Sequence, residues 1–207
     1  MILEQEGHSR PTFGVSFHPD GSLVCTTGLD GYGRVWDLRS GKSVLLLRGH
    51  VSGVVTCDFA PDGYTIASGG DDHSIRIWDL RRKRCTYLLA SHTHLVSRVA
   101  YKNVCDLSPA ALTSLSSSSS SPSSSPSSSP DSCILLSSSF DGTIKIWTRE
   151  GTLLHTLKGH EGQVADVDLD REWNMMVSCG YDKTWKMWRK GKEKEIEQEE
   201  KGEMMEM

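Results

Sequence analysis

Four histidines in this sequence each stand ahead of a hydroxyl residue, an aspartate and a tryptophan. The sets are His8, Thr26, Asp30 and Trp36; His50, Ser68, Asp72 and Trp78; His92, Ser137, Asp141 and Trp147; and His160, Ser178, Asp182 and Trp188. A histidine between a hydroxyl and a carboxylate can turn a weak oxygen nucleophile into a strong one, the imidazole taking the proton and the carboxylate fixing its tautomer. A hydrolytic or acyl-transfer site is therefore the first reading to weigh. Repetition argues against it: in every set the aspartate lies 6 residues, and the hydroxyl 10 residues, before the tryptophan. Four equal copies, each with an indole, read instead as buried polar networks. In these, aspartate accepts from imidazole, imidazole meets the hydroxyl, and the indole N–H finds an acceptor. No catalytic residue is assigned, and no phosphate loop, metal cluster or unrepeated nucleophile and base points to another activity. Neither a metal nor an organic cofactor is expected.

The elements that must position these residues follow from the same spacing. Gly7-His8, Gly49-His50 and Gly159-His160 each precede their tryptophan by 28 residues, whereas His92 follows Ser91 and precedes Trp147 by 55. The excess of 27 nearly equals the Ser/Pro-rich run from Ser108 to Ser132, and removing that run brings all four units into register. In the second unit, Val54 to Phe59 reads as a strand, Pro61-Asp62-Gly63 as a turn and Thr65 to Ser68 as a second strand. Asp71 to Ser74 turns again. Ser74 to Trp78 then alternates, with Ile75 and Ile77 on one face and Arg76 and Trp78 on the other, and Cys85 to Leu89 makes a fourth strand. Asp37 and Asp79 follow the first two tetrad tryptophans, and Thr148 and Arg189 replace that aspartate in the later units. A unit of roughly 40 to 45 residues with Gly-His near its start and Trp-Asp near its end is the WD-repeat signature. The resemblance implies an all-β fold, a WD40-type β-propeller with four blades over 1–188, in units of about 7–48, 49–90, 91–158 and 159–188. Closed rings of seven such blades need roughly 280 to 315 residues, so an open partial propeller is expected. Ile2 to Gln5 is the segment available to complete the last blade.

Composition narrows the partners. Twenty-three basic and 27 acidic residues leave a formal charge of −4, so there is no global basic field to draw the chain onto nucleic acid. Cys25, Cys57, Cys85, Cys105, Cys133 and Cys179 lack the close spacing of zinc or redox pairs and read as small buried hydrophobes. Met1 to Gly7 lacks the apolar run of a signal peptide, and no stretch reaches membrane-spanning length. The expectation is a soluble, intracellular protein with neither a membrane nor a small-molecule substrate among its partners. The insertion, 108–132, cannot bury apolar surface and is expected to be disordered. Ser121, Ser125 and Ser129 precede prolines, which suits a proline-directed kinase; the alternative is an inert expansion. The tail, 189–207, carries five basic and seven acidic residues and reads as a solvated end. Arg81-Arg82-Lys83-Arg84 reads as a solvated turn, with contact to RNA phosphate or nuclear targeting as the alternatives.

A partner face follows from strand alternation. If the four aspartates point into their blades, the residues before them, Leu29, Asp71, Phe140 and Tyr181, point out. The WD-repeat resemblance implies that the residue five after each histidine, Phe13, Val55, Ser97 and Ala165, shares that face. Phe13, Leu29, Asp71, Phe140 and Tyr181 are therefore the candidate partner-binding residues, three of them rigid aromatic anchors.

The connecting residues are more specific than the repeat. Gly28-Leu29-Asp30, Gly33-Arg34-Val35-Trp36-Asp37-Leu38-Arg39-Ser40-Gly41, Trp78-Asp79-Leu80-Arg81, Arg84-Cys85, Gly159-His160-Glu161-Gly162 and Tyr181-Asp182-Lys183-Thr184 resemble the WD-repeat subunit of the spliceosomal U4/U6 small nuclear ribonucleoprotein, the pre-mRNA-processing factor four family. That resemblance covers Glu6 to Trp188 apart from the serine-rich insertion, in which this chain departs from the family. It implies a non-catalytic scaffold in the nucleus, with splicing factors of the U4/U6 particle and a cyclophilin as partners and any small nuclear RNA held indirectly. Trp36-Asp37-Leu38-Arg39 and Trp78-Asp79-Leu80-Arg81 also fit the Trp-Asp-x-Arg pattern of substrate receptors for cullin ubiquitin ligases, which is the alternative function.

Overall fold

Turn residues cut the chain into short runs of alternating character, and neighbouring runs of that kind pair as an antiparallel meander. The computed structural model describes residues 6–103, 133–170 and 175–189. The first sheet is β1 (Thr12–Phe17), β2 (Leu23–Gly28), β3 (Tyr32–Asp37) and β4 (Lys42–Arg48); the second is β5 (Val54–Phe59), β6 (Thr65–Gly70), β7 (Ser74–Asp79) and β8 (Arg84–Ala90). The third is β9 (Val96–Asn103), β10 (Cys133–Ser139), β11 (Thr143–Thr148) and β12 (Leu153–Lys158). Among the described residues the fourth has three strands, β13 (Val164–Leu169), β14 (Met175–Gly180) and β15 (Trp185–Arg189). Each sheet pairs its strands in sequence order, as blades of a propeller do. Ile2 to Gln5, the insertion 108–132 with its three Ser-Pro sites, Cys105 and the tail beyond Arg189 lie outside the described residues.

The core lies between the sheets, because a blade has an apolar surface on each face and buries it only against a neighbour. Cys25, Val35 and Leu47 of the first sheet meet Cys57, Phe59, Ile66 and Trp78 of the second. The opposite face of the second sheet, Ala67, Ile75 and Ile77, meets Val99, Tyr101, Leu135 and Trp147 of the third. Ile134, Leu136, Ile144 and Ile146 then meet Val167 and Met176, with Trp188 packed beside them. Along β7, Ile75 and Ile77 thus face forward while Trp78 faces back.

Two irregularities recur and set the site. On the first strand of every sheet the register slips by one residue, passing over Phe13, Val55, Ser97 and Ala165 in turn. A bulge of this kind re-aims the extra side chain and strengthens the twist. The residue after each tetrad aspartate has a positive φ: Gly31 (80°), His73 (62°), Gly142 (79°) and Lys183 (64°). This left-handed residue lets the chain reverse directly behind the aspartate.

Candidate functional site

The second and third strands of each sheet, the turn between them and the loop before the first strand bring each histidine, hydroxyl, aspartate and tryptophan together. Histidine Nδ1 sits 2.9, 2.9, 2.8 and 2.7 Å from the carboxylates of Asp30, Asp72, Asp141 and Asp182 in chain order. Histidine Nε2 sits 2.9, 2.7, 2.9 and 2.8 Å from the hydroxyls of Thr26, Ser68, Ser137 and Ser178. The indole N–H of each tryptophan donates to that same hydroxyl oxygen, at 2.8 to 2.9 Å. Only one proton arrangement satisfies every partner: indole N–H to hydroxyl oxygen, hydroxyl O–H to Nε2, and Nδ1–H to carboxylate.

The carboxylate also ties the backbone. Asp72 accepts the Val51 amide on one oxygen and the Ser74 amide and hydroxyl on the other, joining the loop that enters the blade to the turn that leaves β6. Asp30, Asp141 and Asp182 accept the corresponding pairs of amides. Burial raises the carboxyl of Asp72, but the bonds from His50, Ser74 and Val51 outweigh it and hold the group well below the usual carboxylate range. Asp141 behaves alike: burial opposes ionisation, and the Thr143 and His92 bonds lower the group to about 2. Burial lowers the pKa of His92, with Asp141 opposing only in part, so its imidazole is held neutral.

Bond for bond this matches a nucleophile triad, yet the geometry removes the chemistry. The lone pair with which Ser68, Ser137 or Ser178 would attack already accepts an indole N–H, and each serine is buried, at 1%, 0% and 4% exposure. No electrophile can reach the oxygen. Among the described residues no group of three or more His, Cys, Asp and Glu side chains could hold a metal ion, and no helix is long and apolar enough to cross a membrane.

The outward residues fall into three places. Phe13, on the first bulge, is 60% exposed and stands with Val55, Ser97 and Ala165 around a cavity of about 260 Å³ between the innermost strands. Leu29 lies over Gly53 of the next blade and Asp71 accepts from the Ser52 hydroxyl, so both rest on the loop entering the second blade. Phe140 is half-buried because its ring meets Tyr181 of the following blade edge to face at 5.5 Å, while Tyr181 stays 66% exposed. Phe140 and Tyr181 are thus one aromatic pair across a blade boundary, with Phe13 apart from them. Sequence reasoning did not single out the pairing of the basic turn: Asp79 accepts the Arg81 and Arg82 amides and faces both guanidinium groups, and Arg81 stacks 3.6 Å over Tyr64.

Repeated sheets, one hydrogen-bonded tetrad per sheet and an outward rim of bulge and turn residues define a WD-repeat binding platform. The family model described as WD domain, G-beta repeat, matches residues 1–37, 41–79, 83–148 and 151–189, and the chain belongs to that family. It is 28% identical over 192 residues to the Periodic tryptophan protein 2 homolog of Caenorhabditis elegans, covering 90% of this chain and 18% of that protein. It is 36% identical over 58 residues to mouse F-box-like/WD repeat-containing protein TBL1X, covering 28% of this chain and 11% of that one. It is 42% identical over 57 residues to the Ubiquitin homeostasis protein lub1 of Schizosaccharomyces pombe, covering 28% and 8%. The chain thus spans less than a fifth of each of these relatives.

Proposed function

We propose that the chain is a non-catalytic scaffold that holds protein partners on the rim carrying Phe13, Leu29, Asp71, Phe140 and Tyr181, and that it serves in the nucleus within the U4/U6 splicing particle. The observation that carries the scaffold reading is the capped hydroxyl: the one triad-like constellation among the described residues is repeated in every blade and capped by its own indole. The rim, in contrast, offers rigid aromatic area to solvent, which is what dominates interface energies. The splicing assignment is supported by the connecting residues, among them Gly33 to Gly41 and Tyr181 to Thr184. Splicing factors and a cyclophilin are then the direct partners, and small nuclear RNA is held through them.

The second reading is substrate reception for a cullin ubiquitin ligase, supported by Trp36-Asp37-Leu38-Arg39 and Trp78-Asp79-Leu80-Arg81 and by the mention of ubiquitin in the name of lub1. Arg39 is exposed and free to meet an adaptor in that reading, whereas Arg81 is stacked on Tyr64. Affinity purification of the tagged chain separates the two. Recovery of U4 and U6 RNA with splicing proteins supports the first, and a cullin adaptor without RNA replaces it with the second. Tyr181→Ala and Phe13→Ala are expected to weaken capture by about tenfold or more with the melting temperature unchanged. Capture unaffected by both removes the rim from the account.

A further inference from the structure

Contacts between successive sheets are built from two complementary flanks and a polar stitch. The forward flank of the second sheet, Ala67, Ile75 and Ile77, receives Val99 and Tyr101 on the rear flank of the third. On the innermost strands Thr56 Oγ1 accepts the Val99 amide at 3.1 Å and Asp58 Oδ2 accepts the Tyr101 amide at 2.8 Å. The other oxygen of Asp58 accepts the Ser16 hydroxyl from the sheet behind, at 2.7 Å.

Among the described residues both halves of this interface recur exposed. In the fourth sheet Val177, Trp185 and Met187 stand where Ala67, Ile75 and Ile77 stand in the second, and they are 44%, 69% and 46% exposed. Asp166 and Asp168 occupy the places of Thr56 and Asp58, with side chains 58% and 68% exposed, and are held from behind by Arg98 and Lys102 much as Asp58 is held by Ser16. In the first sheet Val15 and Phe17 occupy the places of Val99 and Tyr101, at 64% and 66% exposure.

We infer that a second copy of this chain docks its first sheet on the fourth sheet of the first, with Val15 and Phe17 covering Val177, Trp185 and Met187. Asp166 and Asp168 then accept the amides of the incoming Val15 and Phe17, repeating the stitch made by Thr56 and Asp58. The contact is head to tail, so two copies joined twice form a ring of eight blades, within the range propellers adopt. Unlike like-to-like pairing, this arrangement needs both flanks of each copy.

The test is sedimentation equilibrium of the whole chain beside Val15→Glu, Val177→Glu and an equimolar mixture of the two. Both changes lie at exposed positions, and tryptophan fluorescence checks that each variant is folded. The native chain is expected at twice its 22.9 kDa mass and each variant at the single mass. The mixture is expected to regain the doubled mass, because one intact flank of each kind remains. A native chain that stays single, association that survives either variant alone, or a mixture that fails to reassociate overturns the proposal.

Discussion

The second and fourth sheets are cut to one plan and end in different surroundings. Every residue of β6 is buried, whereas β14 alternates, with Met175, Val177 and Cys179 exposed and Met176 and Ser178 buried. Ile77 and Met187 hold the same place before the tetrad tryptophan, yet Ile77 is 1% exposed and Met187 46%. The tetrads of these two sheets nonetheless have matching bond lengths, 2.9 and 2.7 Å to the carboxylate and 2.7 and 2.8 Å to the hydroxyl. Hydrogen-bond geometry is therefore made inside one sheet, and burial is supplied by the next. In a repeat protein the two have separate origins.

The largest expected effect comes from breaking the difference in burial. Ile77→Ala should cost about 2 to 5 kcal/mol, since methylenes are lost from a packed interface that cannot collapse fully. Met187→Ala, at the matching place, should stay within about 0.5 kcal/mol at a concentration low enough that copies do not meet. Denaturant midpoints read both, and equal losses would refute the role given to the neighbour.

Next in size is the tetrad. Asp72→Ala strands the Nδ1–H of His50 and the Val51 amide and should cost about 1 to 3 kcal/mol. Asp182→Ala removes the same bonds in a sheet whose forward flank, at Val177 and Trp185, is exposed, so a smaller loss is expected in the same melts. A larger loss in the fourth sheet would reverse the ordering drawn here.

Acid probes these networks together. His92 has its pKa lowered, so below about 6.5 the unfolded chain takes up a proton that the folded imidazole refuses, and stability falls. The carboxyls of Asp72 and Asp141 are also lowered, so their contribution is complete above about 3.9 and is lost as pH falls through the folded values. Unfolded chains bind more protons in both windows. Urea midpoints between pH 8 and pH 3 should therefore decline throughout; a maximum near pH 4 would contradict the assigned proton arrangement.

The smallest effect concerns the turn behind the aspartate. A non-glycine residue in the left-handed region costs roughly 1 to 2 kcal/mol, and glycine returns about 0.5 to 1 of that in backbone entropy. Lys183→Gly should thus stabilise by about 0.5 kcal/mol. His73→Gly should gain less, because its ring meets His94 edge to face at 6.1 Å. Thermal melts of the two variants distinguish them.

What the sequence made legible follows the same division. The four sets are periodic in sequence because each is completed within one sheet, and the structure brings every set together. The shared acceptor was not legible: that the indole and the imidazole use one hydroxyl emerges only from the β2–β3 and β6–β7 registers, which place Thr26 and Ser68 within reach of both. The left-handed position was hidden because His73 and Lys183 stand where Gly31 and Gly142 mark it elsewhere. Phe140 was expected outward with Tyr181, and its half-burial depends on the next blade. An open arc exposes the flanks of its terminal blades, but Val15, Phe17 and Trp185 were not legible as the residues that form them, since their types are those of buried strands.

Native-state hydrogen exchange tests the division most directly, at a concentration low enough that copies do not meet. The amides of Ile66, Ala67 and Ser68 in β6 should exchange only through global unfolding, and those of Val177, Ser178 and Cys179 in β14 through a smaller opening at lower free energy. Equal protection of the two strands would contradict the account, because it would mean that the fourth sheet is held as firmly with its forward flank exposed as the second is with that flank covered.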